Sequence, residues 1–118
     1  ETGEIMDSMK LLETLPSIET FAGGNTTIGA VAANTTMTKA EATKVAQVTH
    51  NALARTIFPS HTMNDGDTIF ALATGGDKYP VDLVANMAAK AMEMAIIRAI
   101  KAAEEISGIP AYKSKSNK

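Results

Sequence analysis

The sequence predicts an α/β fold running strand, helix, strand, helix, and three observations carry that prediction. Residues 27–33 and 68–74 are two short runs of small, β-branched and apolar side chains, with the length and composition of buried strands. Between them Ala42, Val45, Ala46, Thr49, Leu53 and Ile57 recur at helical spacing. After them an apolar segment from Pro80 onward carries Met87, Met92, Met94, Ile96, Ile97 and Ile100 around most of a helical circumference.

Taken in order, residues 6–15 predict a short helix and residues 16–24 an irregular lead-in. Thr26 stands at the tip of the first strand. Thr38 followed by Glu41 is a capping-box signature, which opens a helix over 39–58 that Pro59 terminates. Pro, Ser, His, Asn, Asp and Gly over 59–66 predict a loop, and Gly75-Gly76 closes the second strand. Pro80 is a favoured first helical position, so the last helix is expected to begin there and to stop at Gly108. Lys90, Glu93 and Arg98 interrupt it where a bilayer span would need uncharged residues. It is therefore read as packing one face on the sheet and another on a neighbouring layer or subunit. The polar tail 113–118 is expected to fray.

Two strands cannot make a stable sheet by themselves. The chain is therefore expected either to oligomerise tightly or to be the C-terminal part of a larger protein whose upstream segment supplies further strands. Its 118 residues, 45% hydrophobic and 20% charged, suit one globular unit or a piece of one. With 4% aromatic residues and no Trp, the core must be built from small and flexible aliphatic groups. A formal net charge of −2 with mixed signs provides no basic stripe, which argues against nucleic acid as a partner. The absence of cysteine removes disulfides, thiolate metal sites and cysteine nucleophiles. The start lacks the pattern of a signal peptide, so a cytoplasmic protein is the expectation.

One segment carries reactive chemistry. Gly23-Gly24-Asn25-Thr26-Thr27 runs straight into the first strand, and cutting the bond before Thr26 would give that residue both a hydroxyl and a free α-amine. An α-amine titrates near pH ~8, so it can accept the hydroxyl proton at physiological pH. Read alone, the same segment is ordinary loop punctuation before a strand. Asp65-Gly66-Asp67 precedes the second strand, and period-2 alternation would put both carboxylates on one face if the strand conformation extends back that far. Two acids there could orient a nucleophile's amine or relay a proton, although Asn64-Asp65-Gly66 is also a common turn sequence. His50 reads as a surface residue on the polar edge of the helix. His61, in the loop before the acids, is the better candidate for substrate contact. Two distant histidines without cysteine argue against zinc. No serine has a Gly-x-Ser-x-Gly surround and Gly75-Gly76 lacks a phosphate-loop pattern, so no cofactor is expected.

Taken together, residues 24–32, then Leu53-Ala54-Arg55, then residues 61–75 strongly resemble the P1 (DmpA-like, S58) peptidase family. Within it the likeness is greatest to the branch of endo-type 6-aminohexanoate-oligomer hydrolases, whose nucleophile is threonine. The resemblance covers roughly residues 21–111. It implies a precursor that cleaves itself between Asn25 and Thr26, with residues 1–25 ending the upstream α part and residues 26–118 forming the nucleophile-bearing β part. By the same resemblance Thr26 is the nucleophile, and Asp65 and Asp67 fall on the family's acidic pair. The implied fold is part of an αββα sandwich. The implied partners are the upstream α part, further copies in a homo-oligomer such as a tetramer of processed subunits, and a small peptide or amide-oligomer substrate. Acyl transfer to an amine, as in the ornithine acetyltransferases, and a non-catalytic truncated fragment stand as alternatives.

Overall fold

The computed structural model describes residues 7–14 and 26–116, so the lead-in and Asn25 lie outside the described residues. The elements run α1 (Ser8–Thr14), β1 (Ile28–Ala33), α2 (Lys39–Thr56), β2 (Thr68–Ala73), α3 (Val81–Ala102) and α4 (Tyr112–Ser116). β1 and β2 pair in parallel, in a register that sets Ile28 opposite Thr68 and Ala33 opposite Ala73. Parallel pairing needs a crossover, which α2 supplies.

α2 begins where the sequence places it. The Thr38 hydroxyl accepts the Glu41 N–H at 3.2 Å, and a Glu41 carboxylate oxygen accepts the Thr38 N–H at 2.8 Å. Lys78 lies 3.2 Å from the other Glu41 oxygen and ties the approach to α3 onto this helix start. These contacts, the Thr38 N–H first, hold the Glu41 carboxyl below its ordinary range. α2 ends at Thr56, and Ile57 is already extended (φ −124°, ψ 121°) before Pro59.

Both long helices lie on one face of the sheet. Ala52 and Leu53 of α2, Ile69 of β2 and Met92 of α3 form one core cluster, with Val31, Ala46, Ile57 and Ile96 packed around it. Val45, Val84 and Ala85 form a second cluster against Val31, Ala33 and Ala71. The small residues Ala52, Ala85 and Ala89 are all buried, which lets the helices and sheet approach closely. Thr49 is fully buried and satisfies its hydroxyl locally, donating to the Val45 carbonyl at 2.8 Å. Past the strands' C-terminal ends, the buried Thr35 hydroxyl donates to the Asp77 carbonyl at 2.8 Å and accepts the Tyr79 N–H at 3.4 Å. That staple joins the two strand exits.

Two expectations change. The strands, expected to be buried, are covered on one face only among the described residues. Ile28 (72% exposed), Phe70 (56%) and Leu72 (52%) line the other face, with Ala30 and Ala32 between them. Strand alternation is the cause, because every second side chain points away from the single helical layer. The last helix also ends at Ala102 rather than at Gly108, and Ala103 is already extended (φ −54°, ψ 147°). Gly108 (φ 78°) instead follows Ser107 (φ 51°) in a two-residue reverse turn closed by the Ile109 N–H on the Ile106 carbonyl at 2.9 Å. Its tolerance of positive φ serves that turn, not a helix cap.

Leu53→Ala is expected to lower stability by about 2–5 kcal/mol, because it leaves a cavity where both helices meet the sheet. Thr35→Val is expected to cost about 1 kcal/mol, since it removes the hydroxyl that bridges the Asp77 carbonyl and the Tyr79 N–H while the Thr36 N–H stays on that carbonyl at 3.3 Å. Equilibrium denaturation of the two variants beside the parent checks both values.

Candidate active site

The strand-entry end of the sheet brings together most of the chemistry-bearing residues. Thr26 is exposed and sits two positions before β1. The Thr27 carbonyl accepts the Thr68 N–H at 2.9 Å, so the parallel ladder already holds the residue after Thr26. The neighbouring Thr27 N–H points to Asp67, whose Oδ1 accepts it at 3.0 Å. A side-chain carboxylate thus continues the ladder one step beyond the strand, and the backbone bearing Thr26 is pinned on both sides of Thr27.

Asp67 has a second set of partners. Its Oδ2 lies 3.0 Å from His61 Nδ1 and accepts the His61 N–H at 3.3 Å. Its side chain is 7% exposed. Burial by itself raises the Asp67 pKa, but the hydrogen bonds from the Thr27 and His61 N–H groups, the His61 charge and the Thr27 hydroxyl outweigh it. The net effect holds the carboxyl below the usual 3.8, so Asp67 is an anion at neutral pH.

Gly66 belongs to the same site. A Cβ built there would fall 2.8 Å from the Thr26 hydroxyl oxygen, closer than any side chain tolerates. The hydroxyl therefore rests close to the Gly66 Cα, and a side chain at 66 would force the Thr26 hydroxyl to shift. Sequence reading treats Asn64-Asp65-Gly66 as a turn and gives no sign of this approach. Placement of the glycine between the two aspartates is the signal that could have raised it.

The two aspartates do not share a face. β2 begins at Thr68, so residues 65–67 precede the strand and its alternation does not govern them. Asp65 instead closes its own turn: its Oδ2 accepts the Thr62 N–H at 2.7 Å, and its N–H donates to the Thr62 carbonyl at 3.1 Å. Asp67 meets Thr27 at the tip of β1 and Gly66 lies against Thr26, while Asp65 shapes the loop that leads there. His50, read from the sequence as a surface residue, is half-buried, with its ring 5.1 Å from that of His61 and tilted by 51°.

A cavity of about 580 Å³ opens elsewhere, between the latter half of β1 and α3, with Ala30, Ala32, Asn34, Leu83, Met87 and Ala91 in its walls. Thr26, Asp67 and His61 are not in its lining, so this apolar space and the polar site are separate. Among the described residues no group of three or more His, Cys, Asp or Glu is arranged to hold a metal ion. Among the described residues no helix is long and apolar enough to cross a membrane.

Comparison with known proteins places these residues in a wider set. Residues 3–113 match the sequence model of peptidase family S58. A protein of Mycobacterium leprae named as an uncharacterized aminopeptidase is 42% identical over 103 residues, an alignment covering 75% of this chain and 28% of that protein. An uncharacterized aminopeptidase of Mycobacterium tuberculosis is 36% identical over 104 residues, covering 75% of this chain and 30% of that protein. A 6-aminohexanoate-oligomer endohydrolase of a Kocuria species is 42% identical over 62 residues, covering 52% of this chain and 17% of the enzyme. The chain thus spans less than a third of the length of each of these relatives.

The depressed Asp67 pKa has a stability consequence. The stabilisation is fully present above the unfolded-state value near 3.8 and is lost as pH falls through the lower folded-state value. Asp67→Asn is expected to flatten this acid limb while lowering stability at neutral pH. Denaturation midpoints taken from about pH 7 down to about pH 3 on both proteins read the effect.

Proposed function

The chain belongs to peptidase family S58, and we propose on that footing that it is the nucleophile-bearing part of an autoprocessing N-terminal-threonine amide hydrolase. The observation that carries the reading is the Thr26 hydroxyl held over Gly66 at the tip of a strand whose entry is pinned by the Asp67 anion. The names of the relatives, aminopeptidase and 6-aminohexanoate-oligomer endohydrolase, support amide bonds of peptides or ω-amino-acid oligomers as the substrate class.

In the first reaction the Thr26 Oγ attacks the Asn25 carbonyl carbon. The carbon–nitrogen bond to Thr26 breaks, its nitrogen takes up the hydroxyl proton, and an ester links Asn25 to the Thr26 oxygen. Water then opens the ester, leaving a carboxylate on Asn25 and a free α-amine on Thr26. In later turnovers that amine accepts the hydroxyl proton as Oγ attacks a substrate amide. The leaving amine departs with a proton, and water hydrolyses the acyl-enzyme ester. Asp67 orients the strand entry through Thr27, and Asp65 stands behind it in the loop.

The fold supports a partner as well as a reaction. α2 and α3 make one helical layer over β1 and β2, and the bare face bearing Ile28, Phe70 and Leu72 is too apolar to remain in water. An upstream α part of the same precursor, contributing the facing sheet of an αββα sandwich, is the occupant we propose. Homo-oligomers of the processed subunits complete the assembly.

Intact-mass and N-terminal sequencing of the full-length precursor test the reaction: a new N-terminus at Thr26 is expected. Thr26→Ala is expected to leave the precursor uncut and to reduce hydrolysis of 6-aminohexanoate oligomers and aminoacyl anilides to background. Cleavage and turnover in Thr26→Ala would refute the assignment. Gly66→Ala, which drives a methyl group into the Thr26 hydroxyl, is expected to slow self-cleavage by about 10- to 100-fold.

A further inference from the structure

We propose that His61 is a positioning residue for the Thr26 nucleophile, acting through Asp67 and supported by His50. The inference rests on the reading of Thr26 as nucleophile and assigns a role to a side chain that does not touch the reacting atoms.

The geometry is that of a carboxylate held from two sides. Asp67 Oδ1 takes the Thr27 N–H on β1 at 3.0 Å, and Oδ2 takes His61 Nδ1 at 3.0 Å and the His61 N–H at 3.3 Å. Thr27 alone fixes one oxygen and leaves the carboxylate free to swing about its own axis. His61 reaches the other oxygen twice, with its backbone N–H as a hydrogen bond and with ring Nδ1 as an ion-pair contact, so both carboxylate oxygens are engaged. An ionised carboxylate only accepts, so Nδ1 of His61 carries the hydrogen in this pair.

His61 holds a strained backbone to do this. Its φ of 57° lies in the left-handed region, which few residues other than glycine adopt and which asparagine, aspartate and histidine tolerate best. That conformation presents the backbone N–H and the ring nitrogen to the same oxygen. The Asp65 turn fixes Thr62, the next residue along. The His50 ring, carried on α2, lies 5.1 Å from the His61 ring and backs it from a rigid helix. A continuous set of contacts thus runs from α2 through His50, His61 and Asp67 to Thr27, one peptide bond from Thr26.

Without the His61 ring, Oδ2 of a largely buried anion loses its nearest contact, and rotation toward solvent releases the Thr27 N–H as well. The strand entry then moves, and the Thr26 hydroxyl with it. Displacements on the scale of an ångström at a nucleophile typically slow its reaction by about 100-fold.

The test uses the full-length precursor and two replacements that both accept the positive φ. His61→Gly keeps the backbone N–H and removes the ring donor, whereas His61→Asn keeps a short N–H donor near the position of Nδ1. Self-cleavage is read as a first-order rate from intact mass, and turnover of an aminoacyl anilide as kcat and KM separately. His61→Gly is expected to slow self-cleavage and kcat by about 10- to 100-fold with KM little changed, and His61→Asn to recover most of both. A His61→Gly protein with parental rates, a loss confined to KM, or equal impairment of the two variants would overturn the proposal. Should His61→Gly fail to fold, His61→Asp replaces it: it has the shape of asparagine but turns an acceptor toward Asp67. The expected result is then an impaired aspartate variant beside a competent asparagine one, and equality between them refutes the role. Thr26→Ala is run alongside. If it still cleaves and turns over, the nucleophile assignment fails; if it is inert while the His61 variants behave as the parent, only the positioning role fails.

Discussion

The contact on which the rest of the site depends is the one between the Asp67 carboxylate and the Thr27 N–H. Parallel strands leave their first residues only half paired, and among the described residues the backbone ladder here reaches back to the Thr27 carbonyl. Asp67 supplies the missing acceptor from a side chain, so the segment before β1 is held in line instead of fraying. The rest of the candidate site is arranged around it: Thr26 stands beside Thr27, Gly66 leaves room for the Thr26 hydroxyl, and His61 approaches the same carboxylate. The interaction is strong because the acceptor is charged and the carboxylate is shielded from water while still satisfied on both oxygens.

The second constraint is the asymmetry of the layers. Helices α2 and α3 pack on one face of β1 and β2 through Val31, Leu53, Ile69 and Met92, and the packing is dense because alanines let the backbones approach. The opposite face keeps the same apolar character, and no described residue forms a layer over it. A chain selected to end its core at this sheet would alternate polar side chains there, as one-sided sheets do. Ile28, Phe70 and Leu72 instead read as half of a core, which is why the facing layer enters the functional reading and not only the structural one.

The separation between the apolar cavity beside α3 and the polar strand-entry site has the same origin. The cavity opens where β1 has a free edge under an overhanging helix, a space shaped for packing. The candidate site lies at the N-terminal tips of the strands, where loops can bring charged groups together without burying them unpaired. The apolar cavity and the cluster of Thr26, Gly66, Asp67 and His61 therefore occupy different parts of this molecule.

The sequence by itself determined the order of elements, the capped start of α2 and Thr26 at a strand tip, because each follows from local periodicity, propensity and turn chemistry. Those signals act over a few residues and survive in any fold that contains them. The partition of roles between Asp65 and Asp67, the approach of Gly66 to the Thr26 hydroxyl, the His50–His61 contact and the bare face of the sheet were decided by tertiary structure. Each depends on groups far apart along the chain: Thr27 meets Asp67, and His50 meets His61, only because α2 folds back and brings β2 beside β1. A turn sequence such as Asn64-Asp65-Gly66 looks the same whether it faces water or a nucleophile, and the long-range pairing alone distinguishes the two.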